Sequence, residues 1–138
     1  MANVIYDKYK EAVLTSATDS SLTAGSVKVT LVDSGTTEFR STDEFYSDLS
    51  NTDLGILETA DLTNVTCING VLDADDVLFT DVANTAIDAE ALLLWIDTAD
   101  ANTSRLVAWM DTNINGLPIT PDGSNVDIIW SSSGIFKL

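Results

Sequence analysis

The stretch ALLLWIDTADANTSRLVAWM, residues 91–110, decides the fold. At its ends, ALLLWI (91–96) and RLVAWM (105–110) are short apolar runs, and the polar segment DTADANTS (97–104) separates them. Runs of this length bounded by turn formers read as strands buried on both faces, since a helix of comparable burial needs about ten residues or more. The two runs are therefore expected to pair as an antiparallel hairpin. Strands apolar on both faces need cover on both, from an opposing sheet on one side and from a helix, an arm or a neighbouring subunit on the other.

Outward from the hairpin the period is two. In SVKVTLVD (26–33), Val27, Val29 and Leu31 alternate with Lys28 and Thr30, which places the first three inward and the other two outward; Asp33-Ser-Gly-Thr then turns the chain. VDIIWSS (126–132) sets Val126, Ile128 and Trp130 on one inward face. NVTCINGVL (64–72) reads as one strand, with a bulge at Asn69-Gly70 and Cys67 at a buried position, and DDVLFTDV (75–82) holds another short strand. Residues 42–57 show no sustained period and read as a loop with short strand or helical turns. The chain closes on strand-like residues, Gly134 leading into Ile135, Phe136, Lys137 and Leu138.

Only the beginning departs from this pattern. Ile5, Tyr9, Ala12 and Val13 fall on one helical face within residues 3–14, and the polar TSATDSSLTAGS after them is a connector. The predicted organisation is a helix or arm with its connector over 1–25 and a β domain over 26–138. The fold class is all-β, a single antiparallel β-sandwich or small barrel with a short N-terminal amphipathic helix or arm.

A chain of 138 residues with 45% hydrophobic content closes one core. Its formal charge of −16 repels phosphate backbones, which excludes a nucleic-acid partner. No apolar run approaches the length of a membrane span, and MANVIYDKYKEAV lacks the basic and apolar regions of a signal peptide, so synthesis in the host cytoplasm without export is expected. Cys67 is the single cysteine, so packing or association rather than a disulfide must supply stability.

The sequence contains no histidine, which removes Ser-His-Asp and Cys-His catalysis and His-ligated metals. No G-x-G-x-x-G, Walker or C-x-x-C pattern occurs. The adjacent carboxylates Asp75 and Asp76 do not establish the cleft-spanning separation a glycosidase needs. Asn64-Val-Thr66 and Asn102-Thr-Ser104 match glycosylation sequons, which read as accidental in a chain without an export signal. No enzyme is expected. Asp111, Asn113, Asn115 and Gly116, followed by Asp122 at the twelfth position, approach the spacing of a Ca²⁺ loop, with Asp in place of the final Glu. The alternative is a turn rich in Asn, Asp, Gly and Pro for conformational reasons.

The order MANVIYDKYKEAVL, VKVTLVD, TDEFYSDLSN, LTNVTCINGVLDADDVLFTDV, the 91–110 hairpin and LPITPDGSNVDIIWSSSGIFKL resembles a group of small tailed-bacteriophage virion proteins of the capsid decoration or cement type. The most specific parts are the opening, the DADDV stretch (73–77) and the ending with Gly134, Ile135, Phe136 and Leu138. The resemblance implies a non-enzymatic structural protein of the virion, a β-sandwich on the capsid bound to major capsid subunits, often as a homo-oligomer or in symmetric copies. An alternative is a head-fibre, neck or tail protein with a glycan-binding sandwich. For capsid contact the charge-balanced N-terminal segment is one candidate, with Ile5, Tyr6, Tyr9 and Val13 as interface residues, and the two-faced strands of the hairpin offer a second surface; the alternative is that residues 3–14 cap the chain's own sandwich.

Overall fold

The computed structural model describes residues 3–138. Strands Val4–Ile5 (β1), Ser26–Val32 (β2), Ile56–Asp61 (β3), Thr66–Ile68 (β4), Val71–Asp73 (β5), Val77–Phe79 (β6), Ala91–Asp97 (β7), Leu106–Met110 (β8), Val126–Ile128 (β9) and Phe136–Lys137 (β10) accompany one α-helix, Asp7–Leu14 (α1). All pairings are antiparallel: a five-stranded sheet in the order β1-β8-β7-β2-β3, a three-stranded sheet β10-β5-β4 and the pair β6-β9. The fold is all-β.

The hairpin forms as expected, β7 pairing with β8 from Leu92 opposite Met110 to Trp95 opposite Leu106, across a bulge. Val27, Val29 and Leu31 pair with Ile96, Leu94 and Leu92 on one face, and all six are buried. Val126, Ile128 and Trp130 are buried too. They belong, with Leu72, Val77 and Phe79 of the smaller sheets, to the same cluster as the hairpin.

The other face of the large sheet is covered by the chain itself. Phe39 packs against Tyr6 and Trp109, with ring centroids 5.1 and 6.0 Å apart, and Tyr46 lies 4.4 Å from Trp95. The two-faced strands therefore offer no second docking surface: Leu92, Leu93, Leu94, Leu106, Val107 and Trp109 are all buried internally. Thr30 corrects the alternation, since it is buried rather than outward. Its hydroxyl lies 2.8 Å from that of Thr59 and accepts Trp95 Nε1–H at 2.9 Å, and this pairing makes the burial tolerable. Lys28 remains half-exposed and bonds Asp61 across β3.

Two further boundaries differ. Residues 3–14 are not one helix: Val4 and Ile5 pair with Trp109 and Ala108, and α1 starts only at Asp7. Residues 64–72 are two strands, because Asn69 (φ 54°) and Gly70 (φ 79°) form a tight turn instead of a bulge. Two successive left-handed residues match the twist of a two-residue hairpin, and Asn-Gly is the pair that adopts them most readily. The 42–57 region contains a short helical turn as expected, the 3₁₀ turn Tyr46–Asp48, held by the Asp48 carboxylate accepting the N–H groups of Glu44 and Phe45, and its last two residues already belong to β3.

Candidate functional site

Between α1 with its connector and the β10-β5-β4 sheet lies an open groove of about 420 Å³. Val13, Leu22, Cys67, Leu72, Phe136 and Leu138 supply its apolar walls, and serines and a threonine of the connector supply most of the rest. The ladder explains the floor: Cys67 is opposite Leu72 and Leu72 is opposite Phe136, so these three share one face of the sheet.

The connector is held in place by hydrogen bonds. Tyr9, 3% exposed, donates its hydroxyl to the Ser20 carbonyl at 2.9 Å, and the Ala17 N–H donates to the Ala12 carbonyl. Arg105 reaches across, donating from Nε to the Thr18 carbonyl at 3.0 Å and pairing with Glu44 at 3.0 Å while its guanidinium covers Phe45. Burial pushes the Tyr9 hydroxyl up to about 12, the neighbouring Cys67 adding to it. The Cys67 thiol is itself raised by desolvation.

No lining residue is charged. Residues 12–27, 62–72 and 128–138, which contribute every lining residue except Tyr9, contain one acidic side chain, Asp19, and one basic side chain, Lys137. One of each sign cancels, so the whole net charge of −16 is carried by the rest of the chain. Exposed Leu14 and Leu138, at 85% and 55%, belong to the same neutral segments.

Of the interface candidates, Tyr6 and Tyr9 are buried in the chain's own core and are not available to a neighbour. Tyr6 cannot be displaced cheaply, because β1 belongs to the sheet and the Tyr6 N–H donates to the Val107 carbonyl. Ile5 and Val13 are half-buried, and only Val13 reaches the groove. The remaining wall residues were missed by sequence reasoning, although eleven uncharged residues in a row, 62–72, were a readable signal in so acidic a chain. Cys67 is exposed, not buried: β4 is an edge strand with nothing beyond it in the sheet.

The candidate Ca²⁺ ligands have other roles. Asp111 accepts Trp109 Nε1–H at 3.2 Å and the Thr112 hydroxyl at 3.0 Å. Asp122 accepts the Ser124 N–H and hydroxyl, which hold its carboxyl below the usual range. Asn113 is a left-handed turn residue and Asn115 bridges to Ile129. The second end of the loop is tied through Gly123 and Ser124 to Val82, in the segment after β6. Among the described residues no group of three or more acidic or cysteine side chains is placed to hold a metal ion.

The DADDV stretch also acts in packing. Asp76 accepts the Trp130 N–H at 2.9 Å, the Asp75 carbonyl accepts Trp130 Nε1–H at 3.0 Å, and the Asp75 carboxylate is occupied by Asn64 and Thr63. Gly134 closes the same junction: its φ is 99°, and a Cβ there would lie 2.4 Å from Val71 Cγ1. Among the described residues no helix is long and apolar enough to cross a membrane. Comparison with protein-family models, with curated proteins and with solved structures yields no match.

Proposed function

We propose that this chain is a non-enzymatic structural protein of a phage particle that decorates or cements the capsid, docking on major capsid subunits through the neutral groove face. The observation that carries this reading is the charge segregation: an uncharged apolar groove on a chain whose net charge of −16 lies entirely elsewhere. A densely packed acidic protein keeps its acid toward solvent, where mutual repulsion is screened, and presents its neutral apolar surface to a partner. The resemblance to phage virion proteins supplies the partner class.

The glycan-binding alternative draws less support, because such sites display aromatic rings around a concavity. Here Trp109 and Trp130 are buried, Trp95 packs at a tilt against Tyr46 with its N–H bonded to Thr30, and Phe136 is the one partly exposed ring in the groove, against the several that a glycan site presents. The test is to add purified protein to heads assembled without it, alongside the double variant Leu22→Asp/Leu138→Asp. The wild type should fill its sites, and the folded variant should bind about tenfold more weakly or worse. Equal occupancy would dismiss the groove as the docking surface, and failure of the wild type to bind heads would move the protein to the neck, tail or a fibre.

A further inference from the structure

The exposed edge of the small sheet carries a separate message. Strand β4, Thr66-Cys67-Ile68, is exposed at all three residues and lies at the end of its sheet. Edges are normally guarded by charges, prolines or bulges, because unpaired N–H and C=O groups recruit another strand. Four other edges are guarded: β3 carries Glu58 and Asp61 and is bulged against β2, β10 carries Lys137, β9 carries Asp127 and β6 is bracketed by Asp75, Asp76 and Asp81, while the remaining edge, β1, is only two residues long. β4 has none of these protections, and its nearest charged neighbours in sequence are Asp61 and Asp73.

The hairpin register identifies which groups are open. With Asn69-Gly70 as a two-residue turn, Ile68 and Val71 form the closing hydrogen-bonded pair, so Cys67 and Leu72 form the next, non-bonded pair. Leu72 accordingly turns its carbonyl away from β4, accepting from Ile135 N–H at 2.7 Å. Cys67 likewise directs its N–H and C=O outward, where no partner exists among the described residues.

We infer that β4 pairs antiparallel with β4 of a second copy of this chain, about a twofold axis at Cys67. In that arrangement each Cys67 N–H donates to the other copy's Cys67 carbonyl, so the two open groups of each edge satisfy those of the other. A second copy is the occupant the charge favours. A copy approaching any acid-bearing edge meets like charge at once, whereas β4 itself carries no charge and the carboxylate paired with it, Asp73, lies one strand back across the ladder from Thr66. The axis stands perpendicular to the sheet, so the product is a continuous six-stranded sheet with both grooves on the same face. The inference stands on the edge and the charge alone, and does not depend on the capsid role.

The test is the mass of the isolated full-length protein in solution by analytical ultracentrifugation, at low and high salt. A dimer that strengthens as salt rises is expected, because screening relieves the repulsion between the bodies. Cys67 is the only cysteine, and paired Cα atoms across such an axis lie about 5.5 Å apart, so a short bis-maleimide should link the two copies. Cys67→Pro removes the outward donor at an edge that tolerates proline, and Thr66→Lys/Ile68→Lys sets lysines opposite each other across the axis. Each should give a monomer with an unchanged circular dichroism spectrum. The inference is overturned by a wild-type protein that stays monomeric at its highest attainable concentration. A dimer that either folded variant leaves intact, that salt dissolves, or that does not cross-link at Cys67 overturns it as well. Head binding is scored separately, so a failed dimer and a failed docking surface are distinguished.

Discussion

Thr30 and Tyr6 sit in one core and obey opposite rules. The Thr30 hydroxyl serves both Thr59 and Trp95, so Thr30→Val, close in shape, should lower the unfolding free energy by about 1–3 kcal/mol by leaving the Trp95 N–H unpaired. Urea denaturation would measure it. The Tyr6 hydroxyl is buried with no partner among the described residues, and Tyr6→Phe should leave stability unchanged or raise it. Tyr6 and Tyr9 also define an alkaline limit. Burial raises both above the ordinary tyrosine value of 10.0, Tyr9 to about 12, so the folded state holds these protons more tightly than the unfolded state. Their contribution is fully present below pH 10.0 and is lost as pH climbs from there through the folded values. Melting temperature should therefore fall across that window, and less steeply in Tyr6→Phe; a flat profile in the wild type would contradict the burial of these hydroxyls.

At the scale of elements, the hairpin of residues 91–110 was legible because its runs are too short for helices and apolar on both faces. β3 was not, since Glu58, Thr59 and Asp61 break the apolar alternation and its strand character comes from pairing with β2, through Thr30–Thr59 and Lys28–Asp61. β1 is two residues long and owes its existence to the otherwise unpaired backbone edge of β8, a tertiary signal no local window carries. Asn69-Gly70 was visible as punctuation, and only the positive φ at both residues tells a turn from a bulge. Two substitutions test these junctions. Gly134→Ala should cost more than about 1 kcal/mol, from the left-handed backbone and the contact with Val71 together. Arg105→Lys should cost about 1–3 kcal/mol, because an ammonium cannot bond Thr18 and Glu44 while covering Phe45. Thermal melts read both, and for Arg105→Lys faster proteolysis within residues 15–25 should accompany the loss. Local turns and bonds to Val82 and Ile129 hold the 111–122 loop, so neither chelator nor added Ca²⁺ should move the melting temperature; a rise with Ca²⁺ would establish Asp111, Asn113, Asn115 and Asp122 as ligands.

The whole molecule is organised by where its charge is absent. Composition alone showed the acidity and the balanced N-terminal segment, and from these the N-terminal tyrosines followed as anchors. The fold instead spends those tyrosines on its own core and assembles the neutral surface from three segments far apart in sequence, which no local reading could join. What survives of the N-terminal docking expectation is Val13 and the connector, now as one wall of a groove whose floor comes from residues 67–72 and 136–138. In the proposed role this groove face meets the shell and the acid-bearing surface meets solvent. Cryo-electron microscopy of the native particle tests it most directly. The predicted result is density on the capsid with Val13, Leu22 and Leu138 against the major capsid subunits and the acidic segments outward; density confined to the neck, tail or a fibre, or an acid-rich surface seated on the shell, would contradict it.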